Sequence, residues 1–243
     1  MKKSMILILA GLLVSCNLSG QWGKRVKGNG EMTTETRNVG TYDAVSLSGW
    51  FDVELVAGNE GTLTLEGEEN LLEHVITEVK NGKLVIKTEQ GYNLQPSSWK
   101  SGGITITVPV EDIHGVSLSG SGDIVGKTLL RADHFETGMS GSGDITLEVA
   151  AREVEASLSG SGDINLSGTA GRLEVRVSGS GDVRAFDLEA DHVDATVSGS
   201  ADIQVTAKES LEARVSGSGD INYKGNPSKV DAKTSGSGDI TRS

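Results

Sequence analysis

The chain is short of the residues that usually anchor a fold. Its 243 residues include one cysteine, three prolines, and three each of Trp, Tyr and Phe. A single cysteine excludes a disulfide framework within the chain, whatever the redox compartment. So few aromatics mean that aliphatic side chains must fill the interior. Basic residues are also scarce: 22 Lys and Arg stand against 34 Asp and Glu, a formal charge of −12. That balance excludes nucleic acid and anionic lipid as partners held by bulk electrostatics. Long apolar runs are missing as well, since the stretch from Met5 to Val14 is too short to span a bilayer as a stable helix.

Lys2 and Lys3 precede that stretch, and Leu13-Val14-Ser15-Cys16 ends it. This order of charge, short apolar core, small residue and cysteine resembles the lipobox of bacterial lipoprotein precursors. It implies that residues 1–15 are a signal peptide and that Cys16 becomes the lipidated N-terminus; the alternative is an ordinary signal peptide with a chance cysteine nearby. The lipid on Cys16 would then be the contact with membrane. It would place the protein in the cell envelope, at the outer membrane of a Gram-negative bacterium, on its periplasmic or its surface face. Residues 16–33 carry little hydrophobic pattern and read as a flexible tether.

Glycine, by contrast, is plentiful, and it recurs in a fixed setting. Ser-Gly-Ser-Gly-Asp stands at 119–123, 140–144, 159–163, 178–182, 216–220 and 235–239, with Ser-Gly-Ser-Ala-Asp at 198–202. Successive Asp residues are 21, 19, 19, 20, 18 and 19 positions apart. A short period held over so many copies is the mark of a solenoid in which each copy is one stacked turn. Aligning the copies on Asp exposes apolar columns. Directly after Asp come Ile124, Ile145, Ile164, Val183, Ile203, Ile221 and Ile240, and five before it Leu118, Met139, Leu158, Val177, Val197, Val215 and Thr234. Nine before it lie His114, Phe135, Val154, Leu173, Val193, Leu211 and Val230, with a column of smaller residues from Val116 to Ala232 between the last two.

These offsets share a parity, so they face one side of an extended chain, and the segments are rich in Gly and β-branched residues. The pattern predicts an all-β fold, a parallel β-solenoid with roughly 19-residue turns stacked about 4.8 Å apart. Each turn reads as a strand of about six residues, a Ser-Gly-Ser-Gly corner, a short second strand and a variable loop.

Residues 116–243 form the regular part. Residues 34–115 form an irregular β-rich half that opens with a degenerate copy, Ser48-Gly49-Trp50-Phe51-Asp52. Across all copies the first Gly never changes whereas the second can be Phe51 or Ala201, so the first is the better candidate for a positive φ or a close backbone approach. The sequence around Asn81-Gly82 predicts a hairpin with a type I′ turn, 69–75 a short helix, and 104–108 a strand stopped by Pro109.

The lipoprotein-like leader, Val108-Pro109-Val110, and the Gly-Ser-Gly-Asp-Ile repeats followed by Asn165 and Asn222 together resemble the head GIN domain, or putative auto-transporter adhesin, family (DUF2807). The resemblance covers about residues 35–243. It implies a right-handed β-helix shaped like the pectate-lyase-like proteins but without their catalytic residues, and it brings no binding residues with it. Fold alone leaves function open.

The repeating carboxylates, Asp52, Asp123, Asp144, Asp163, Asp182, Asp202, Asp220 and Asp239, are the obvious site candidates. Stacked at about 4.8 Å they repel by roughly 1 kcal/mol per adjacent pair in water. Calcium could relieve that, but each turn offers one invariant carboxylate, and the calcium-binding β-roll nonapeptide is missing. The favoured reading is that each Asp caps amides or hydroxyls of its own corner, with no metal and no other cofactor.

Gly126-Lys127-Thr128 lacks the upstream Gly and the strand-to-helix setting of a phosphate loop. The four histidines have no metal-ligand spacing, and the serines recur only because the corner recurs. The chain therefore reads as a non-catalytic envelope lipoprotein, an adhesin-like or structural binding module. The alternative is a polysaccharide lyase or hydrolase on the same scaffold, for which acid pairs such as Asp187 and Glu189 exist without a readable geometry.

A glycan or a cell-surface protein is the expected ligand. Tyr92 and Trp99, in a loop over 90–103, are the candidate surface. The last turn has no polar cap, which suggests a homo-oligomer formed through it.

Overall fold

The computed structural model describes residues 23–99 and 103–243. The predicted signal peptide and Cys16 therefore lie outside the described residues. The irregular half carries β1 (Lys24–Lys27), β2 (Met32–Asn38), β3 (Ala44–Gly49), β4 (Asp52–Ala57), β5 (Thr62–Glu68), the single-turn α1 (Glu69–Leu72), β6 (Val75–Lys80), β7 (Lys83–Thr88), β8 (Tyr92–Gln95) and β9 (Thr105–Val110). The regular part follows as β10 (Gly115–Gly120), β11 (Ile124–Gly141), β12 (Ile145–Gly160), β13 (Ile164–Gly179), β14 (Val183–Gly199), β15 (Ile203–Gly217), β16 (Ile221–Lys224), β17 (Lys229–Gly236) and β18 (Ile240–Arg242).

The predicted β-solenoid is present. About seven coils, roughly 19 residues apart, stack in parallel with like residues over like: Leu118 over Met139, Met139 over Leu158, Leu158 over Val177. All four apolar columns line one continuous core, in which Phe135, Val154, Leu173, Ile145, Ile164 and Val183 are fully buried.

One feature of the coil differs from expectation. The stretch read as a second strand plus a loop is part of a single strand that runs on to the next corner, for example from Ile145 to Gly160. Differences in coil length are absorbed by bulges within the ladder, between Val125 and Leu129 and between Asn165 and Ser167. In a stack with neighbours above and below, continuous pairing satisfies more backbone groups than a loop would.

The corner explains its glycines. Gly141 has φ +152°, and a Cβ there would lie 1.9 Å from the Gly120 carbonyl oxygen of the coil before. A Cβ on Gly143 would likewise lie 1.8 Å from the Gly122 carbonyl, yet Ala201 fills this second position in another coil, fully buried and without a positive φ. Positive φ falls on the first Gly of the corner, at Gly120, Gly141, Gly179, Gly199, Gly217 and Gly236, and on none of the second, as the sequence comparison predicts. Phe51 occupies the second position in the degenerate copy, where the chain below the corner is β9, paired with β4.

The irregular half closes the other end. Hairpin β6–β7 turns at Asn81 and Gly82, both with positive φ as a type I′ turn demands. The predicted helix is only the single turn α1. Strand β9 does not stop at Pro109 but runs through it to Val110. Ile104 and Val110 carbonyls bond to β4, so the odd-numbered residues face β5, whose pairing ends at Thr107; Pro109 therefore has no bond to donate there. Its carbonyl accepts the hydroxyl of Tyr42, whose phenol burial pushes well up from its ordinary pKa.

Part of the expected tether is also folded. Lys24–Lys27 pairs in parallel with Tyr92–Gln95, and Met32 and Thr33 belong to β2. What holds this segment is Glu68, fully buried, whose carboxylate accepts the amides of Gly30 (2.6 Å) and Ser97 (2.8 Å). A Cβ on Gly28 would strike the same carboxylate. Burial alone would raise the Glu68 pKa, but the bonds from Ser97 and Gly30 and the charge of Lys27 outweigh it and hold the carboxyl below its ordinary range.

Candidate functional site

Three features face outward: the corner carboxylates, a second ladder of acids, and a few aromatic side chains.

The corner Asp residues form a ladder, but not the one expected. Each carboxylate accepts the backbone amide of the Asp one coil further on. Asp144, Asp163, Asp182, Asp202, Asp220 and Asp239 donate to the Asp before them at 2.8–3.0 Å, and Asp123 donates to Asp52 at 3.4 Å. The donor lies in the neighbouring coil because the Asp amide points along the stacking axis. Each carboxylate thereby fastens one coil to the next. Burial pushes the Asp52 carboxyl up and the charge of Asp123 adds to that, against the Asp123 amide. Arg184 spans two rungs, with Asp163 at 2.5 Å and Asp182 at 3.0 Å. These contacts relieve the repulsion that a bare column would suffer.

A second column, eight positions before each corner Asp, reads Glu136, Glu155, Glu174, Asp194, Glu212 and Asp231. It stacks in register from β11 to β17. Cations thread it: Arg176 pairs with Glu174, Arg172 with Asp194 at 3.6 Å, and Arg214 with both Glu212 and Asp231 at 2.8 Å. The Arg214 bond holds Asp231 below the ordinary carboxylate range. At the start of the column, ligand atoms of His134, Glu136 and Glu155 lie within 4.8 Å of one another. His134 is pushed up by its bond to Glu136, and the charges of Glu155, Glu136 and Glu153 add to this. The set lies at the surface, half-buried to exposed, with His134 bonded to Glu136 and close to Glu153, as expected of a solvated charge ladder.

The aromatic candidates do not form one surface. Tyr92 lies in β8 rather than a loop, half-buried and stacked on His74 at 3.9 Å, and His74 in turn bonds Glu89 at 2.7 Å. Trp99 is 72 % exposed and meets Trp50 edge-on at 5.3 Å, while Trp50 leans on the buried Phe51. Tyr92 is therefore part of the packing of the irregular half. Trp99 is the ring open to solvent.

A third aromatic sits in the regular stack. Phe186 follows Ala185 in β14, where the register to β13 shifts so that Asp187 opposes Ser167. The bulge turns two consecutive side chains outward and leaves Phe186 half-buried beside the smaller Ser167 and Thr206. Its ring borders a groove of about 430 Å³ whose lining includes Asn165, Gln204, Arg184 and Lys224. Lys224 reaches across to place its ammonium 4.2 Å from the ring centre. Asp187 and Glu189, the acid pair singled out from the sequence, are exposed on β14, with Lys208 3.6 Å from Glu189.

Comparison with known proteins agrees with this architecture. Residues 41–227 match the family described as "Putative auto-transporter adhesin, head GIN domain". The solved structure of a putative adhesin from Bacteroides fragilis is 25% identical, with a TM-score of 0.82, and spans 90% of this chain and 100% of its own. A putative lipid binding protein from Parabacteroides distasonis is 27% identical, with a TM-score of 0.73 and the same coverage. A putative adhesin from Parabacteroides merdae shares the fold at 20% identity and a TM-score of 0.70, over 90% of this chain and 99% of its own. No curated protein matches. With most of its length matched, the chain belongs to the head GIN domain family of putative auto-transporter adhesins.

Proposed function

We propose that the chain is a non-catalytic, lipid-anchored module of the cell envelope, adhesin-like, that recognises a carbohydrate on the face carrying Phe186. The observation that carries this reading is the groove beside that ring. An aromatic edge, two side-chain amides and two cations converge on a rigid sheet, the mix that positions hydroxyl-rich ligands. The adhesin relatives support the same class.

Lipidation of Cys16, with transfer to the outer membrane, fits the leader and leaves the folded rod free to meet a ligand. The corner carboxylates and the acidic column hold coils together, so they are not the ligand site.

Binding of the full chain to a glycan array tests the proposal. Retention is expected, with affinity at least tenfold weaker for Phe186→Ala and Gln204→Ala at unchanged melting temperature. Indifference to both variants, or cleavage of the glycan, would reject it. One relative is described as a lipid binding protein, so vesicles belong in the same screen. The anchor is checked separately: a mass gain on Cys16 that Cys16→Ser abolishes.

A further inference from the structure

The last coil breaks the burial rule of its own columns. Phe135, Val154, Leu173, Val193 and Leu211 are 0–3 % exposed, yet Val230, next in that column, is 45 % exposed. Among the described residues β17 pairs on one side only, with β15, and nearly all its residues are exposed.

The direction of its open hydrogen bonds follows from the ladder. The Glu136 amide bonds back to the His114 carbonyl, so residues of the acidic column point their backbone groups to the preceding coil. Asp231, in register with Glu212, does the same. Alternation then turns the N–H and C=O of Val230, Ala232 and Thr234 off the open edge.

The geometry points to a second copy of this chain as the occupant, paired antiparallel about a two-fold axis at Ala232. In that register Ala232 opposes its own copy and Val230 opposes Thr234 of the partner subunit, as hydrogen-bonded pairs. Between them Asp231 opposes Lys233 of the partner subunit, in the narrow pairs where side chains stand closest. The two-fold makes this ion pair twice. Moving the two-fold axis by one residue either way, a slip of two residues between the strands, places Asp231 against itself or Lys233 against itself, so the charges select the register. The exposed Val230 and the end of the core become covered. The contact is isologous and closes as a dimer instead of growing into a fibre.

β6 and β7 end the sheet at the opposite pole from β18, so pairing through β17 sets the irregular halves of the two copies at the far ends of one rod. That arrangement suits copies held by facing surfaces. The pairing itself does not rest on the carbohydrate or the anchor.

Sedimentation of the full chain in detergent over a range of concentrations tests the inference. Wild type is expected to be dimeric, and Lys233→Asp to raise the dimer dissociation constant at least tenfold with an unchanged melting temperature, since among the described residues Lys233 makes one long ion pair, to Asp231 at 3.9 Å. Asp231→Lys should also be monomeric, and an equimolar mixture of the two variants should restore the dimer. Ala232→Pro, which removes an edge donor without touching charge, guards against a folding defect in Asp231→Lys and should also be monomeric. A monomeric wild type, or a dimer that survives both Lys233→Asp and Ala232→Pro, would overturn the inference.

Discussion

The regular stack and the irregular half are built from the same kind of strand but held by different means. From β11 to β17 each coil repeats one set of contacts: a first corner glycine under a carbonyl, one Asp amide on the previous Asp, one acid in the outer column. In residues 23–110 almost nothing repeats. Glu68 binds two amides, Arg37 bonds the Leu72 and Val75 carbonyls, and His74 is clamped between Glu89 and Tyr92. Repetition makes the stack stiff and its defects translatable from coil to coil. Single contacts make the irregular half specific, and each is irreplaceable. Features suited to binding lie where the repetition fails, at Trp99 beside a degenerate corner and at Phe186 on a bulge.

Substitutions can sharpen this contrast, and the largest effect should come from the stacked glycines. Gly141→Ala drives a Cβ into the Gly120 carbonyl from a positive φ and is expected to cost about 3 kcal/mol or more by overpacking against rigid backbone. Gly91→Ala, at φ +89° with nothing within 4 Å, should cost only about 1 kcal/mol from backbone strain. Urea unfolding of the two variants compares them directly.

Next comes Glu68→Ala, which strands two amides and should cost about 2–4 kcal/mol. Its loss should free β1 and the Ser97 region to hydrogen exchange while β12 to β15 stay protected. The sign with pH follows from the lowered carboxyl: the contribution of Glu68 is present above the unfolded carboxylate pKa near 4.5 and is lost as pH falls through the lower folded value. Acid unfolding of the wild type should therefore begin in the irregular half.

A smaller effect, of opposite direction, is expected at Thr137. Its buried hydroxyl has no hydrogen-bond partner among the described residues, and its column otherwise holds only Val and Ala, from Val116 through Ala156 and Val175 to Ala232. Thr137→Val should raise stability by about 1 kcal/mol.

The smallest is His134→Ala. The raised imidazole pKa stabilises the fold below the unfolded value near 6.5 and ceases to do so as pH rises through the folded one. At this exposed site the change should appear only as a slight flattening of melting temperature between pH 6 and 8.

Much of the fold is legible in the spacing of Asp, because a stacked coil forces like residues to recur: the columns, the corner and the Asn81-Gly82 turn all follow. The acidic column from Glu136 to Asp231 is equally periodic, yet attention to apolar positions passes over it. Glu68 is another matter, since nothing in Glu66-Gly67-Glu68-Glu69 distinguishes the buried carboxylate from its neighbours. Lys24–Lys27 carries too little apolar pattern to announce a strand, and pairing with β8 supplies what local sequence does not. Tyr92 and Trp99, neighbours in sequence, part company because β8 draws the tyrosine onto His74. The outward turn of Phe186 comes from a bulge that depends on the neighbouring coil.

The corner carboxylates fasten coils through amide bonds, and calcium is not expected to add to that hold. Thermal melting of Asp202 variants, with calcium and with chelator, tests it most directly, since Asp202 accepts the Asp220 amide at 2.8 Å. Asp202→Asn keeps an acceptor oxygen and should melt near wild type, Asp202→Ala should lose about 1–2 kcal/mol, and millimolar calcium should move none of them. A wild-type melting temperature that rises with calcium and falls with chelator, while Asp202→Asn stays insensitive, would contradict the account.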